Sequence, residues 1–310
     1  MFSVIFPGQG SQLVGMGKDL HDKYSIVQDL FKEADDTLGF SMSKLILNGP
    51  KEDLNLTENT QPAIFLLSYS IFKLIKKEFN IDLNKANFFA GHSLGEYSAL
   101  AAAGSLSFSN TLKILKIRGK AMQDSVPKGV GGMVAVLGSE IEVIENLINE
   151  NKTKYECYIA NDNSPGQIVL SGSLKNLEKI IDDLKSANIK NIKLPVSAPF
   201  HCKLMNKATL VMQEEIAKLN FKEPNNILIS NTTGKEISNS NELKDLLVKQ
   251  IESRVRWRES VLLMIDKGIN QFIEIGPGKV LSGLIKRIDR NVKVSAINSE
   301  EDIKLININE

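Results

Sequence analysis

Gly91-His92-Ser93-Leu94-Gly95 has the spacing Gly-x-Ser-x-Gly, which suits a nucleophile elbow. In an elbow the serine sits on a tight strand-to-helix turn with its hydroxyl exposed. The flanking glycines lack a Cβ, so the chain can bend sharply and other backbone can pack closely against it. The context agrees. Residues 86–90 are a short apolar run that reads as a buried strand, and residues 94–103 are rich in Ala and Leu and read as a helix. A serine at that helix N-terminus faces the positive end of the helix dipole and its unpaired N–H groups.

A serine hydroxyl is a poor nucleophile at neutral pH and needs a base. The chain has three histidines, His21, His92 and His201. His92 adjoins Ser93, and adjacent side chains at a strand end point to opposite faces. His21 lies in a polar stretch, residues 19–23, and reads as a solvated surface residue. His201 follows Ser197-Ala198-Pro199-Phe200 in a loop and is the best base by elimination; a structural histidine at a loop–helix junction is the alternative. An oxyanion also needs preorganised donors. The N–H of Leu94, next after the nucleophile, supplies one. Gly8-Gln9-Gly10, a turn directly after a strand, offers a second, or is simply a tight turn. It is not a dinucleotide fingerprint, because Leu13 stands where the third glycine belongs. The similar turn Gly276-Pro277-Gly278 reads as structural.

Arg118 is out of place. It falls on the same helical stripe as Leu115 and Met122 within residues 111–123. Burying a guanidinium without a partner is costly, so a carboxylate of the protein or of a ligand should meet it. A snorkelling or internally paired arginine is the plainer alternative. Near the C-terminus, residues 278–290 place Lys279, Lys286, Arg287 and Arg290 near one face and Val280, Leu281, Leu284 and Ile288 on the other. That basic stripe is either a solvated face or a dock for an acidic partner.

These residues need a scaffold. Residues 1–125 alternate strand and helix signals: a strand at 3–6, a helix over 19–38, a helix opened by Asn59-Thr60-Gln61-Pro62 with the proline in its first turn, then the elbow. Such alternation indicates an α/β fold with a mainly parallel sheet. Over residues 126–198 the order becomes β-α-β-β-α-β, with strands at 133–137, 155–160, 167–170 and 189–196 and a turn-rich linker at 161–166. This is the ferredoxin-like order, and it suggests a small domain inserted into a large one formed by residues 1–125 and 199–310. Further strands of the large sheet are expected at 227–230 and 271–275.

Composition narrows the function classes. The chain has 310 residues, 42% hydrophobic and 24% charged, with a net charge of +1, so no global charge favours nucleic acid or membrane surfaces. No apolar run approaches the roughly 18 residues of a bilayer span, and the start of the chain has no basic region of a secretion signal. The two cysteines, Cys157 and Cys202, have no metal-ligand spacing and suit a reducing cytoplasm.

Together these segments resemble the malonyl-CoA:acyl-carrier-protein transacylase family along essentially the whole chain. Phe6-Pro7-Gly8-Gln9-Gly10-Ser11-Gln12, Thr60-Gln61-Pro62-Ala63, Gly91-His92-Ser93-Leu94-Gly95-Glu96, Arg118-Gly119 with Met122, residues 161–167 ahead of Ser171-Gly172, Pro199-Phe200-His201, Gln250 ahead of Val255-Arg256-Trp257, and Ile275-Gly276-Pro277-Gly278 all match in order. The resemblance implies an α/β-hydrolase-like large domain and a malonyl-serine formed at Ser93, with His201 as base. It implies that Gln250 orients His201 through its side-chain carbonyl, that the N–H groups of Gln9 and Leu94 form the oxyanion hole, and that Arg118 binds the malonate carboxylate. Gln9, Met122, Asn161 and Phe200 would line the substrate site, and a bulky Phe200 would favour malonyl over methylmalonyl. The implied partners are malonyl-CoA and an acidic acyl carrier protein docking on the Lys279/Lys286/Arg287/Arg290 face. No metal or cofactor is required, and a monomer is expected. A serine thioesterase or esterase is the rival reading, but it calls for a histidine near the C-terminus, and none follows His201. A non-catalytic binding scaffold is the second rival.

Overall fold

The computed structural model describes residues 1–196, 198–237 and 239–308; Ser197, part of the expected loop ahead of His201 in the sequence, lies outside them. The strands in chain order are β1 (Phe2–Phe6), β2 (Phe88–Gly91), β3 (Gly131–Leu137), β4 (Cys157–Ser164), β5 (Gln167–Ser173), β6 (Lys190–Lys193), β7 (Ile227–Ile229), β8 (Glu236–Ile237), β9 (Gln271–Ile275) and β10 (Lys293–Ile297). They form two sheets. The large one runs β10-β9-β1-β2-β7-β8 and is parallel except for the β7–β8 pair. Its strands β1, β2 and β9 are buried along their whole length because helices cover both faces. In β1 the two-residue period sends Phe2, Val4 and Phe6 into one core, while Ile5 enters a second core around Trp257, Val261 and Leu281.

The second sheet takes all its strands from residues 131–193, in the antiparallel order β4-β5-β3-β6. Helices Ile141–Glu150 and Leu174–Ser186 cover it, completing β-α-β-β-α-β around a separate core that includes Val134, Val136, Ile144, Leu170 and Ile180. Strand β4 joins the two layers. Val255 N–H donates to the Ala160 carbonyl at 2.8 Å, and Asp162 N–H donates to the Val255 carbonyl at 2.9 Å. Arg258 then pairs with the buried Asp162 carboxylate, at 3.0 Å from Nη2 to Oδ2. This junction sets one wall of the site, because Asn161 and Asn163 sit on the same strand.

Several local expectations need correction. Residues 161–166 are not a linker: β4 continues through Ser164, with two register shifts, and only Pro165-Gly166 turns. The polar residues there are held as strand by pairing with β5 and Val255, which a composition-based reading does not register. The helix expected over 19–38 is two helices, Lys18–Lys23 and Ser25–Leu38, broken by the extended backbone of Tyr24. The helix with Pro62 begins at Thr57, so the proline is its sixth residue and not in the first turn. Strand β6 is shorter than 189–196, and the edge strands β8 and β10 were not expected. Among the described residues, no helix is long and apolar enough to cross a membrane.

Candidate active site

Strands β1 and β2 lie side by side in parallel, with Phe6 opposite Gly91. The turns that follow, Pro7-Gly8-Gln9 and His92-Ser93, therefore leave the same edge of the sheet, at the carboxyl ends of the strands where open α/β sheets bind ligands. Ser93 has φ 55° and ψ −109°, outside the regions open to an ordinary residue at little cost. Its neighbours enforce this. Ser93 N–H donates to Asn231 Oδ1 at 2.6 Å, Asn231 Nδ2 donates to the Gly91 carbonyl at 2.7 Å, and Gln250 Nε2 donates to the Ser93 carbonyl at 3.1 Å. Both motif glycines are required by close approach: a Cβ on Gly91 would lie 2.0 Å from the Gly95 carbonyl, and one on Gly95 would lie 2.3 Å from the Phe6 carbonyl oxygen.

His201 meets the serine as expected, with Nε2 2.8 Å from Ser93 Oγ. The role expected of Gln250 is corrected. His201 Nδ1–H donates at 2.9 Å to the backbone carbonyl of Gln250, not to its side chain. That bond still sets the tautomer, leaving Nε2 free to accept the serine proton. The Gln250 side chain is turned away because Arg118 claims its Oε1 at 2.7 Å. Burial, and then the nearby Arg118 charge, push the His201 pKa down to about 3. In the free protein the imidazole is therefore a neutral acceptor well below the usual histidine range. With a neutral acyl donor such as acetyl-CoA, kcat/KM for loading Ser93 should stay level as pH falls from 7.5 through 6.5; an acid limb centred near 6.5 would mean a solvated His201. The sign for stability agrees. Between about pH 3 and 6.5 the unfolded chain binds a proton that the folded chain refuses, so this contribution to stability is lost as pH falls through that window.

Arg118 lies on helix Phe108–Asp124 and is 1% exposed. Among the described residues it forms no ion pair with a carboxylate. Its Nη1 donates to Gln61 Oε1 at 2.8 Å, its Nη2 donates to Gln250 Oε1 at 2.7 Å and to Ser93 Oγ at 3.1 Å, and its guanidinium carbon lies 5.5 Å from the centre of the Tyr97 ring. Nε has no partner. Burial lowers its pKa from the ordinary guanidinium value. The helix can approach Gln61 this closely because Gly119 has no side chain: a Cβ there would lie 2.4 Å from the Thr57 carbonyl oxygen. A buried guanidinium held by neutral amides keeps its charge for an anionic ligand.

A cavity of about 120 Å³ lies against Ser93, His201 and Arg118, and Gln9, Leu94, Met122, Asn161 and Phe200 all line it. Leu94 is the first residue of its helix, so its N–H belongs to the turn without intrahelical partners. Gln9 and Val196 also line an adjoining cavity of about 430 Å³, whose wall carries Lys128 and Lys207. His92, expected to point away, lines the inner cavity too; its Nε2 lies 2.9 Å from Asn163 Oδ1 and its ring packs against Trp257. His21 is half-buried rather than solvated, with its ring 5.1 Å from that of Phe31.

The basic face is partly as expected. Lys279, Lys286, Arg287 and Arg290 are exposed, and among the described residues none of them forms an ion pair. The helix, however, spans only Val280–Ile288, so Lys279 and Arg290 flank it, and Val280 is exposed rather than on the buried face. Lys286 Nζ donates to the carbonyls of Arg290 and Val292, and Arg287 donates to Gln167 Oε1 at 2.6 Å.

Three residues that shape the site received no role from the sequence: Gln61, Glu96 and Asn231. Two signals were available: Glu96 is a charged residue inside an otherwise apolar helix start, and Gln61 lies within the matching segment Thr60-Gln61-Pro62-Ala63; Asn231 carries none.

A serine on an elbow, a neutral histidine 2.8 Å from its hydroxyl and a buried cation beside a small cavity are the parts that acyl transfer requires. The acyl transferase domain family accordingly matches residues 3–302. Within that class, the malonyl CoA-acyl carrier protein transacylase of Bacillus subtilis is 41% identical over 303 residues, covering 97% of this chain and 94% of the relative. The crystal structure of the acyl-carrier-protein S-malonyltransferase of Bartonella henselae superposes with a TM-score of 0.95 at 39% identity, covering 98% of this chain and 97% of that one. A malonyl-transacylase solved in complex with a holo type II PKS acyl-carrier protein gives 0.94 at 36% identity, covering 98% and 97%. The chain belongs to the malonyl CoA-acyl carrier protein transacylase family.

Proposed function

We propose that the enzyme moves a malonyl group from malonyl-CoA to the phosphopantetheine thiol of an acyl carrier protein, through malonyl-Ser93, and so supplies fatty acid synthesis. The observation that carries this reading is the position of Arg118, whose Nη2 is 3.1 Å from Ser93 Oγ and, among the described residues, has no carboxylate partner. The malonate carboxylate binds Arg118 in the inner cavity. Ser93 Oγ attacks the thioester carbonyl as His201 Nε2 takes its proton, and the N–H groups of Gln9 and Leu94 stabilise the oxyanion. The intermediate collapses, the proton passes to the CoA sulfur, and CoA leaves. The carrier thiol then attacks malonyl-Ser93 by the same steps, with His201 again as base, restoring the free serine. Gln250 contributes its backbone carbonyl to His201 and its side chain to Arg118. Met122, Asn161 and Phe200 shape the cavity, and Phe200 disfavours an α-methyl group. The outer cavity suits pantetheine, with Lys128 and Lys207 placed for phosphate. The enzyme would act as a monomer in the cytoplasm, and the reaction as written draws on no metal or cofactor and on neither nucleic acid nor membrane.

Mass spectrometry after mixing with malonyl-CoA should find malonate on Ser93; absence of label, or rapid malonate release without an acceptor thiol, would remove the transferase reading. The carrier protein docks on Lys279, Lys286, Arg287 and Arg290, which form no ion pair among the described residues. Reversing one of them, Arg287→Glu, should raise the KM for carrier protein several-fold to about 10-fold and leave loading from malonyl-CoA intact. An unchanged KM would count against this face.

A further inference from the structure

Glu96 is a buried carboxylate that the steps above do not use. It is 2% exposed, on the first turn of the elbow helix, and among the described residues it forms no ion pair. Its Oε2 accepts from Gln250 Nε2 at 2.5 Å and from Asn231 N–H at 3.3 Å. The other end of the same amide, Gln250 Oε1, accepts from Arg118 Nη2 at 2.7 Å. Carboxyl, amide and guanidinium thus stand in line, and when Glu96 is ionised two opposite buried charges are held one carboxamide apart.

Two consequences follow from donor and acceptor chemistry. A glutamine amide has two orientations, and a guanidinium has only donors, whereas a carboxylate has only acceptors. Turned the other way, Gln250 would set donor against donor at Arg118 and acceptor against acceptor at Glu96. Ionised Glu96 thereby selects the orientation that aims Oε1 at Arg118. The second consequence concerns charge. Arginine and carboxylate in contact form a strong bidentate pair. The intervening amide prevents that pair, so the guanidinium keeps an edge for a ligand while its charge is balanced nearby. The same amide holds the Ser93 carbonyl at 3.1 Å.

We propose that Glu96 is a positioning residue for acyl transfer: it fixes the direction of the Gln250 amide and so holds Arg118 open to a substrate carboxylate. This rests on the reading of Arg118 as the carboxylate receptor. Glu96→Gln keeps the shape but lets the two amides meet in either orientation. Loading of Ser93 from malonyl-CoA should fall roughly 10- to 100-fold, as misplacement of a binding group does, while loading from acetyl-CoA changes by less than about threefold. Gln250→Met removes the amide, and the double variant should be no worse than Gln250→Met alone, because Glu96 acts through that side chain. Equal losses for the two donors, no loss at all, or fully multiplicative losses in the double variant would each overturn the proposal. If Glu96→Gln does not fold, Glu96→Asp carries the same cycle, with a smaller loss confined to malonyl-CoA. The two readings separate cleanly: a wild-type protein that malonyl-CoA fails to label refutes the proposed function, whereas normal wild-type labelling with an unchanged donor ratio in the Glu96 variants refutes only this inference.

Discussion

Ser93→Ala should lower malonyl transfer to carrier protein by at least about 10⁴-fold, the scale on which a catalytic nucleophile is missed. The loss is large because, on the proposed course, the two half-reactions share one atom. Without Oγ, no acyl-enzyme forms, and the two thiols would have to meet in one site. The fold should survive: alanine occupies less space, and the turn is held by backbone and by Asn231 and Gln250, not by the hydroxyl. His201 Nε2 and Arg118 Nη2 each lose a contact, at 2.8 and 3.1 Å. A steady-state assay with malonyl-CoA and holo carrier protein, beside a thermal melt, decides the matter. Retention of more than about 1% of turnover in a folded variant would mean that another group carries the acyl chain.

Arg118→Ala should change which acyl group is handled, in addition to how fast. A charge-assisted contact to a carboxylate is worth about 1.5–3 kcal/mol, or roughly 10- to 150-fold, and acetyl-CoA has no carboxylate to lose. Malonyl transfer should therefore fall by that factor relative to acetyl transfer. Arg118→Lys should recover little of it, because a point charge on a flexible stem cannot hold Gln61, Gln250 and substrate in one plane. Some stability will go as well. Arg118 is among the largest fully buried side chains, and its removal leaves Glu96 without a nearby countercharge. Burial already raises the Glu96 pKa to about 7, so the variant should take up a proton there readily. Competition between malonyl-CoA and acetyl-CoA for Ser93 reads the ratio directly; equal losses would make Arg118 a structural residue.

The chemistry of the site was legible where it depends on neighbours in sequence. The elbow is such a case: glycine spacing, a short apolar strand and an Ala-rich helix fall within a few residues, and backbone sterics do the rest. With three histidines in the chain, elimination led to His201, and the structure puts it 2.8 Å from Ser93. Short apolar runs marked β1 and β2, an Ala- and Leu-rich stretch marked the elbow helix, and an arginine on an apolar stripe marked Arg118. Polar strand residues defeated the same logic. Residues 161–164 look like a turn, yet they are strand because Val255 and β5 pair with them.

Which atoms meet was settled by packing across long chain separations. Gln250 contacts Glu96 across 154 positions and Arg118 across 132, and no local pattern carries that information. Sequence similarity nominated Gln250 but not the atom; only the packed helices show that its backbone carbonyl serves His201 and that its side chain is spent on Arg118. The reason is physical. Period and turn chemistry act through the chain's own sterics, so residue type and spacing suffice to express them. The partner of a buried donor is whichever acceptor the assembled core brings within hydrogen-bond reach, and that exists only once the distant helices and both sheets are in place.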